Sequence, residues 1–237
     1  MNKIRKIIFK FAIVLLFMLF FYGSAYAETL YIFYPSIMRP IVMQQKMTEA
    51  CPGIEIKVFG RFKDFETEVI SGKPDAILTK YPVISQLGGY SVLLKGSRKG
   101  KTEESDILLS VDEKIDLNSI SEISIGMFDI LGRDGMKKMV SSYFNGEPKL
   151  KLVSKTEDML QLLTLNMSKA ILIPENHIGY FKELSNLNFV VTPVPNMKEG
   201  IVALAIKSGA GAAKIVKALT GMNDKNMAIP EVDKWEQ

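Results

Sequence analysis

The 237-residue sequence has one cysteine (Cys51), one histidine (His177) and one tryptophan (Trp235). A single cysteine excludes an internal disulfide in any redox compartment, and Cys51 reads as a small apolar residue on a helix. One His and one Cys are too few N and S donors for a structural zinc site, which takes four ligands. No GxSxG, HExxH or phosphate-loop pattern occurs. His177 follows Glu175 at a two-residue spacing, at which helical side chains do not face each other, so the two do not make an acid–base pair. These shortages point away from catalysis, metals and cofactors. We expect a protein that is not an enzyme.

A basic excess is also missing from most of the chain. The formal charge of +4 arises wholly in residues 1–27, which hold Lys3, Arg5, Lys6 and Lys10 and no acid. Taking those four from the 30 Lys and Arg leaves 26, against 26 Asp and Glu. The remainder is neutral and lacks the cationic footprint of a nucleic-acid binder. The leader combines that basic start with the apolar run Phe11–Phe21 and the small-x-small triplet Ala25-Tyr26-Ala27, the three parts of a secretory signal peptide cleaved after Ala27. The run is shorter than the roughly 20 residues needed to span a bilayer. Export to the periplasm and a monomeric state are expected, and 210 residues remain after the 27-residue leader, enough for two small lobes.

What is present is a repeated alternation of strand and helix patterns. Strands are predicted over TLYIFY (29–34), IEIKVF (54–59) and DAIL (75–78), with helices over 36–50 and 61–71 between them. Residues 85–89 read as a turn, followed by extended segments at 90–95 and 106–111 around a polar loop or hairpin at 96–105. The pattern restarts with ISIGMF (123–128), a helix over 136–144, KLKLV (149–153), a helix over 156–166 and KAILIP (169–174). Two strand segments at 188–194 and 200–207 precede a helix over 209–221 and a tail that packs back near Trp235. Each β-α-β-α-β run implies a parallel sheet covered by helices. Extended segments near 90–111 and 188–206 imply that the chain crosses twice between lobes. The organisation expected is an α/β, two-lobed protein with a double-crossing hinge: a signal peptide at 1–27, the first part of lobe 1 at 28–106, lobe 2 at 107–190, and a return to lobe 1 with the tail at 191–237.

The stretches TLYIFYPSIMRP and CPGIEIKVFGRFKDFETEVISGKPDAILTK resemble type II periplasmic substrate-binding proteins, the soluble receptors of ABC importers. DILLSVDEKIDLNSISEISIGMFDILGRDGMKKMV extends that resemblance through the crossing strand and the second-lobe ligand loop. The nearest look is to phosphate-, phosphonate- and molybdate-receptor-like members. The resemblance implies a periplasmic binding protein type II fold that captures a small anionic solute (phosphonate, oxyanion or carboxylate) and presents it to a membrane permease. The other implied role is a sensor or accessory module docking on a membrane kinase or envelope protein. Where such receptors often carry small hydroxyl residues, this chain has Gly60-Arg61-Phe62 and Thr79-Lys80-Tyr81.

In parallel α/β sheets ligands lie beyond the carboxyl ends of the strands, which selects the candidates. Ser36 follows the first strand and either caps the next helix, contacts an anion, or does both. Arg61, beside Phe62, sits at a helix start, where a cation opposes the helix dipole; it is a bidentate anion ligand or a solvated arginine. Arg39 has the same two readings. Thr79 and Tyr81 end the third strand, Tyr81 as a ligand contact or as hinge packing. In the second lobe the candidates are Gly132, Arg133 and Asp134, with Asp134 also a natural N-cap, and Glu175 and Asn176 after the third strand. A cleft-facing Glu175 would favour a ligand carrying an amine.

Overall fold

The first strand of the fold is apolar on both faces. In β1 (Glu28–Phe33), Leu30, Tyr31, Ile32 and Phe33 are all buried, the signature of a central parallel strand covered on both sides. A computed structural model describes residues 27–237; the expected signal peptide lies almost wholly outside the described residues. β1 pairs in parallel with β2 (Ile54–Val58) and β3 (Ala76–Thr79), Leu30 facing Ile56 on one side and Ala76 on the other. β2 keeps the alternation of an edge strand, with Ile54 and Ile56 buried and Glu55 exposed.

Helix α1 (Pro40–Ala50) starts with proline at a position whose N–H has no helical partner. Helix α2 (Phe62–Gly72) ends on Lys73 in the left-handed region, φ 47°. The residues after β3, expected to be a turn near 85–89, form helix α3 (Tyr81–Leu87). β4 (Tyr90–Ser97), β10 (Ala203–Lys207) and the tail strand β11 (Lys234–Glu236) complete a six-stranded sheet in the order β11-β4-β10-β3-β1-β2.

The second sheet has the order β7-β6-β8-β5-β9. β6 (Ser124–Phe128) pairs in parallel with β7 (Lys149–Val153) and β8 (Ala170–Pro174). The long strands β5 (Glu103–Val111) and β9 (Phe189–Gly200) add on antiparallel. Helices α4 (Gly132–Ser141), α5 (Thr156–Thr164) and α6 (Ile178–Leu184) complete this lobe, and α7 (Ala213–Thr220) and the one-turn α8 (Asp224–Met227) complete the first. The chain therefore enters the second sheet at Glu103 and returns at Ala203, a wider second lobe than the 107–190 span expected. Two-lobed α/β architecture with a double crossing is what the sequence predicts and what the structure has.

One face of the first sheet packs Leu30, Ile32 and Leu78 against Met43 and Met47 of α1 and Ile215 and Leu219 of α7. The other face continues into the second lobe. There Phe33 stacks on Phe65 at 5.3 Å between ring centres and meets Phe62 and Phe128 at 6.0 Å each. Phe128 ends β6, so the lobes share apolar packing at the bottom of their cleft.

Candidate functional site

Three loops at the carboxyl ends of parallel strands converge on one groove: Tyr34–Arg39 after β1, Phe59–Arg61 after β2, and Ser154–Lys155 after β7. The groove, about 570 Å3, lies between the lobes. The helices these loops feed, α1, α2 and α5, start without a side-chain cap, as α3 also does behind Lys80. The N-cap residues of the three are Arg39, Arg61 and Lys155. A helix start leaves backbone N–H groups without partners and carries partial positive charge. Asp, Ser or Asn would normally supply the missing acceptor. A cation there stabilises nothing in the helix, and three such starts line one groove. Two acids, Asp64 and Glu157, stand beside them, Glu157 within 3.8 Å of the Arg39 guanidinium.

Behind the groove the cleft is filled by the chain's own charges. Lys80, buried after β3, donates to Glu104 Oε1 at 2.8 Å, and Arg98 Nη1 donates to Glu104 Oε2 at 2.8 Å. Arg98, in the turn between β4 and β5, also reaches Glu231, its Nε donating to the backbone oxygen at 3.0 Å. The Glu231 carboxylate accepts from Ser36 Oγ at 2.6 Å and lies 3.1 Å from His177 Nε2. Thr156 Oγ1 donates to the Ser36 carbonyl at 2.8 Å, so two bonded contacts join the lobes through Ser36 and Glu231. The bonds from Lys80 and Arg98 to Glu104 of β5 also join the lobes, as does Gln86, which donates to the Leu131 carbonyl at 3.2 Å.

Two further acids, Asp106 and Glu199, are buried near Lys80. Each has a carboxylate oxygen without a hydrogen-bond partner, and both line an inner cavity of about 40 Å3 with His177 and Thr156. Burial, reinforced by the Glu199 charge and only partly offset by Lys80, pushes the Asp106 carboxyl up to about 7. Burial raises Glu199 as well. Burial would lower the Lys80 ammonium, but Glu104, Glu199 and Asp106 together hold it above its usual range. For Glu231 burial is outweighed by the His177 bond and charge, the Ser36 bond and Arg98, so this carboxyl is held below its usual range.

Of the residues singled out in the sequence, Ser36 and Arg61 meet in the groove. Ser36 is not an N-cap: α1 starts at Pro40, and the Ser36 hydroxyl instead accepts from the Met38 N–H at 3.0 Å. Phe62 is core, 4 % exposed, and Thr79 is fully buried in β3 with its hydroxyl unpaired. Tyr81 packs on Gly200, where any Cβ would lie 2.4 Å from its ring. Gly132 takes φ +72° and donates its N–H to Asp129 at 2.7 Å. Asp134 is exposed inside the first turn of α4, whose N-cap is Leu131. Arg133 faces a different depression, beside Lys137 and Glu147. Glu175 and Asn176 are exposed and line a third hollow against the 98–105 hairpin. Sequence reasoning did not find Lys80, Arg98, Glu104, Asp106, Glu199 and Glu231 as a set. The available signal was ionisable residues at inward positions of β5 and β9, where Asp106 opens the buried run of β5 and Glu199 is buried beside exposed Lys198.

No family model matches the sequence, and no curated protein matches it at a significant level. Solved structures do share the fold. A double mutant of the VFT2 domain of Bordetella pertussis BvgS superposes with a TM-score of 0.58 at 10% identity, over 90% of this chain and 95% of that one. The arginine-, lysine-, histidine-binding protein ArtJ of Geobacillus stearothermophilus gives 0.58 at 14% identity, over 86% and 93%. The GluR0 ligand-binding core in complex with L-glutamate gives 0.57 at 14%, over 88% and 98%. These likenesses establish the two-lobed fold of type II periplasmic binding proteins. They single out no phosphate- or molybdate-receptor subfamily.

Proposed function

We propose that this chain is a non-enzymatic, extracytoplasmic receptor that takes a small anionic solute into the groove between its lobes. The observation that carries this reading is the set of three uncapped helix starts, each headed by a cation (Arg39, Arg61 and Lys155), lining one groove. Free N–H groups and guanidinium donors together suit a carboxylate or phosphonate. Ile37, Met38 and Phe59 offer an apolar wall for the rest of the ligand. Asp64 and Glu157 leave room for an amine on the same molecule. Binding at a surface formed by both lobes would favour the closed arrangement by its differential affinity, and the closed form would be read by a membrane permease of an ABC importer.

A second partner reading, a sensor module on a membrane kinase, is favoured by the direct bonds already joining the lobes, Thr156 to Ser36 and His177 to Glu231. Calorimetric titration of the protein with inorganic phosphate, methylphosphonate, glutarate, L-glutamate and L-arginine tests the anion reading. Saturable binding of at least one anion is expected, weakened ~10- to 150-fold in Arg61→Ala, the loss of one charge-assisted bond at about 1.5–3 kcal/mol. Binding confined to arginine, or anion affinity unchanged in Arg61→Ala and Lys155→Ala, would refute it.

A further inference from the structure

The environment of Glu231 is that of a bound ligand rather than of a residue serving its own segment. Ser36 supplies a hydroxyl to one carboxylate oxygen at 2.6 Å, and His177 faces the other at 3.1 Å. Arg98 Nη2 stands 3.8 Å from that second oxygen. Arg98 pairs with the carboxylate by charge, while its Nε donates to the Glu231 backbone oxygen. Ser36, Arg98 and His177 come from the loop after β1, the β4–β5 turn and the 3-10 turn after β8, so the carboxylate bridges both lobes. Ser36 and Arg98 are also fixed by something else. The Ser36 hydroxyl accepts from Met38 N–H and its carbonyl from Thr156, while Arg98 is held by Glu104. Ser36 and Arg98 therefore keep their geometry independently of the glutamate side chain, and His177 is placed by burial alone.

Glu231 itself adopts φ +59°, a left-handed conformation that costs a side-chain-bearing residue about 1–2 kcal/mol. Strain of this kind persists only where the surroundings over-determine it. The residue lies in a short link between α8 and β11, and Ser36, its closest donor, also lines the groove through which a solute would enter.

We propose that Ser36, Arg98 and His177 form a receptor site for a single carboxylate, filled in this state by Glu231 as a tethered ligand, and open to a small monocarboxylate when that side chain is withdrawn. This deepens the interlobe-receptor reading and rests on it for the two-lobed cleft, not for the groove cations. The tethered carboxylate holds the lobes together in the absence of solute, and a free carboxylate would compete for the same donors.

The test is chemical rescue in the leaderless chain. Glu231→Gly removes the carboxylate and accepts the positive φ. Its melting temperature is expected to rise saturably with sodium formate or acetate, and not with sodium chloride at equal ionic strength. Wild type is expected to show no formate-specific rise, and Glu231→Gly combined with His177→Ala or Ser36→Ala to lose the rescue. No formate-specific rise in Glu231→Gly, or a rise that persists in the double variants, overturns the inference. Should Glu231→Gly not fold, Glu231→Gln decides by hydrogen exchange: faster exchange than wild type at residues 36–38 and 177–181 supports the tether, and unchanged protection overturns it. Failed rescue with intact anion binding at Arg61 removes this inference alone; lost groove binding with intact rescue removes the other.

Discussion

Asp106 offers the sharpest test of the buried charge arrangement. It lies on β5 with an unpartnered oxygen, facing Glu199, Lys80 and Glu104. Its carboxyl rises from 3.8 to about 7, chiefly through burial and then through Glu199. That difference of about three pKa units corresponds to about 4 kcal/mol at full ionisation, at 1.36 kcal/mol per unit. The folded chain holds this proton more tightly than the unfolded one, so the contribution is fully present below pH 3.8 and declines as the pH rises through about 7. Between pH 5 and pH 8 the loss attributable to this group is about 3 kcal/mol. Asp106→Asn keeps the shape and cannot ionise. Urea unfolding of both proteins at pH 5 and pH 8 measures the difference directly. The variant should lose about 3 kcal/mol less than wild type over that interval, and should be the more stable of the two at pH 8. Parallel stability–pH curves for the two proteins would refute the reasoning, because they would mean that Asp106 is ionised and solvated in the folded state.

Two further outcomes probe how the first lobe is held. Phe33→Ala removes a fully buried ring that meets Phe65, Phe62 and Phe128, and should cost about 3–5 kcal/mol in denaturant unfolding. Asp75→Ala takes away the acceptor of the Thr29 N–H at 2.8 Å and its hydroxyl at 2.9 Å; a loss of about 1–3 kcal/mol is expected, with faster amide exchange at the start of β1.

The strands were legible because burial writes itself locally. TLYIFY and DAIL are apolar runs of buried parallel strands, and IEIKVF alternates as an edge strand does. Two helix starts were misplaced for a single reason. Ser36 and Asp134 have the side chains that capping prefers, yet α1 begins at Pro40 and α4 at Gly132, behind Arg39 and Leu131, which make no capping bond. Helix α5 starts at Thr156 as expected, but Thr156 follows the N-cap Lys155 and does not cap. Thr156 spends its hydroxyl on Ser36, 120 residues away, and no local pattern announces such a partner. Helix α3 was hidden by Pro82 and by the glycines that end it, which read as a turn. The inner charge set was hidden by separation along the chain, Ser36 and Glu231 being 195 residues apart. The place of Arg61 at a helix start was legible because an arginine there contradicts local electrostatics, and that contradiction needs no knowledge of distant residues.

Trp235 is the sole indole in the sequence, four positions beyond Glu231 and buried in β11, where it lies opposite Gly96 of β4. Indole emission from this molecule thus originates at one point, on the same short strap that carries the bridging carboxylate. An optical titration will register whether that strap stays seated or peels from the sheet, and will be nearly blind to a solute that settles by Arg61 while leaving it undisturbed.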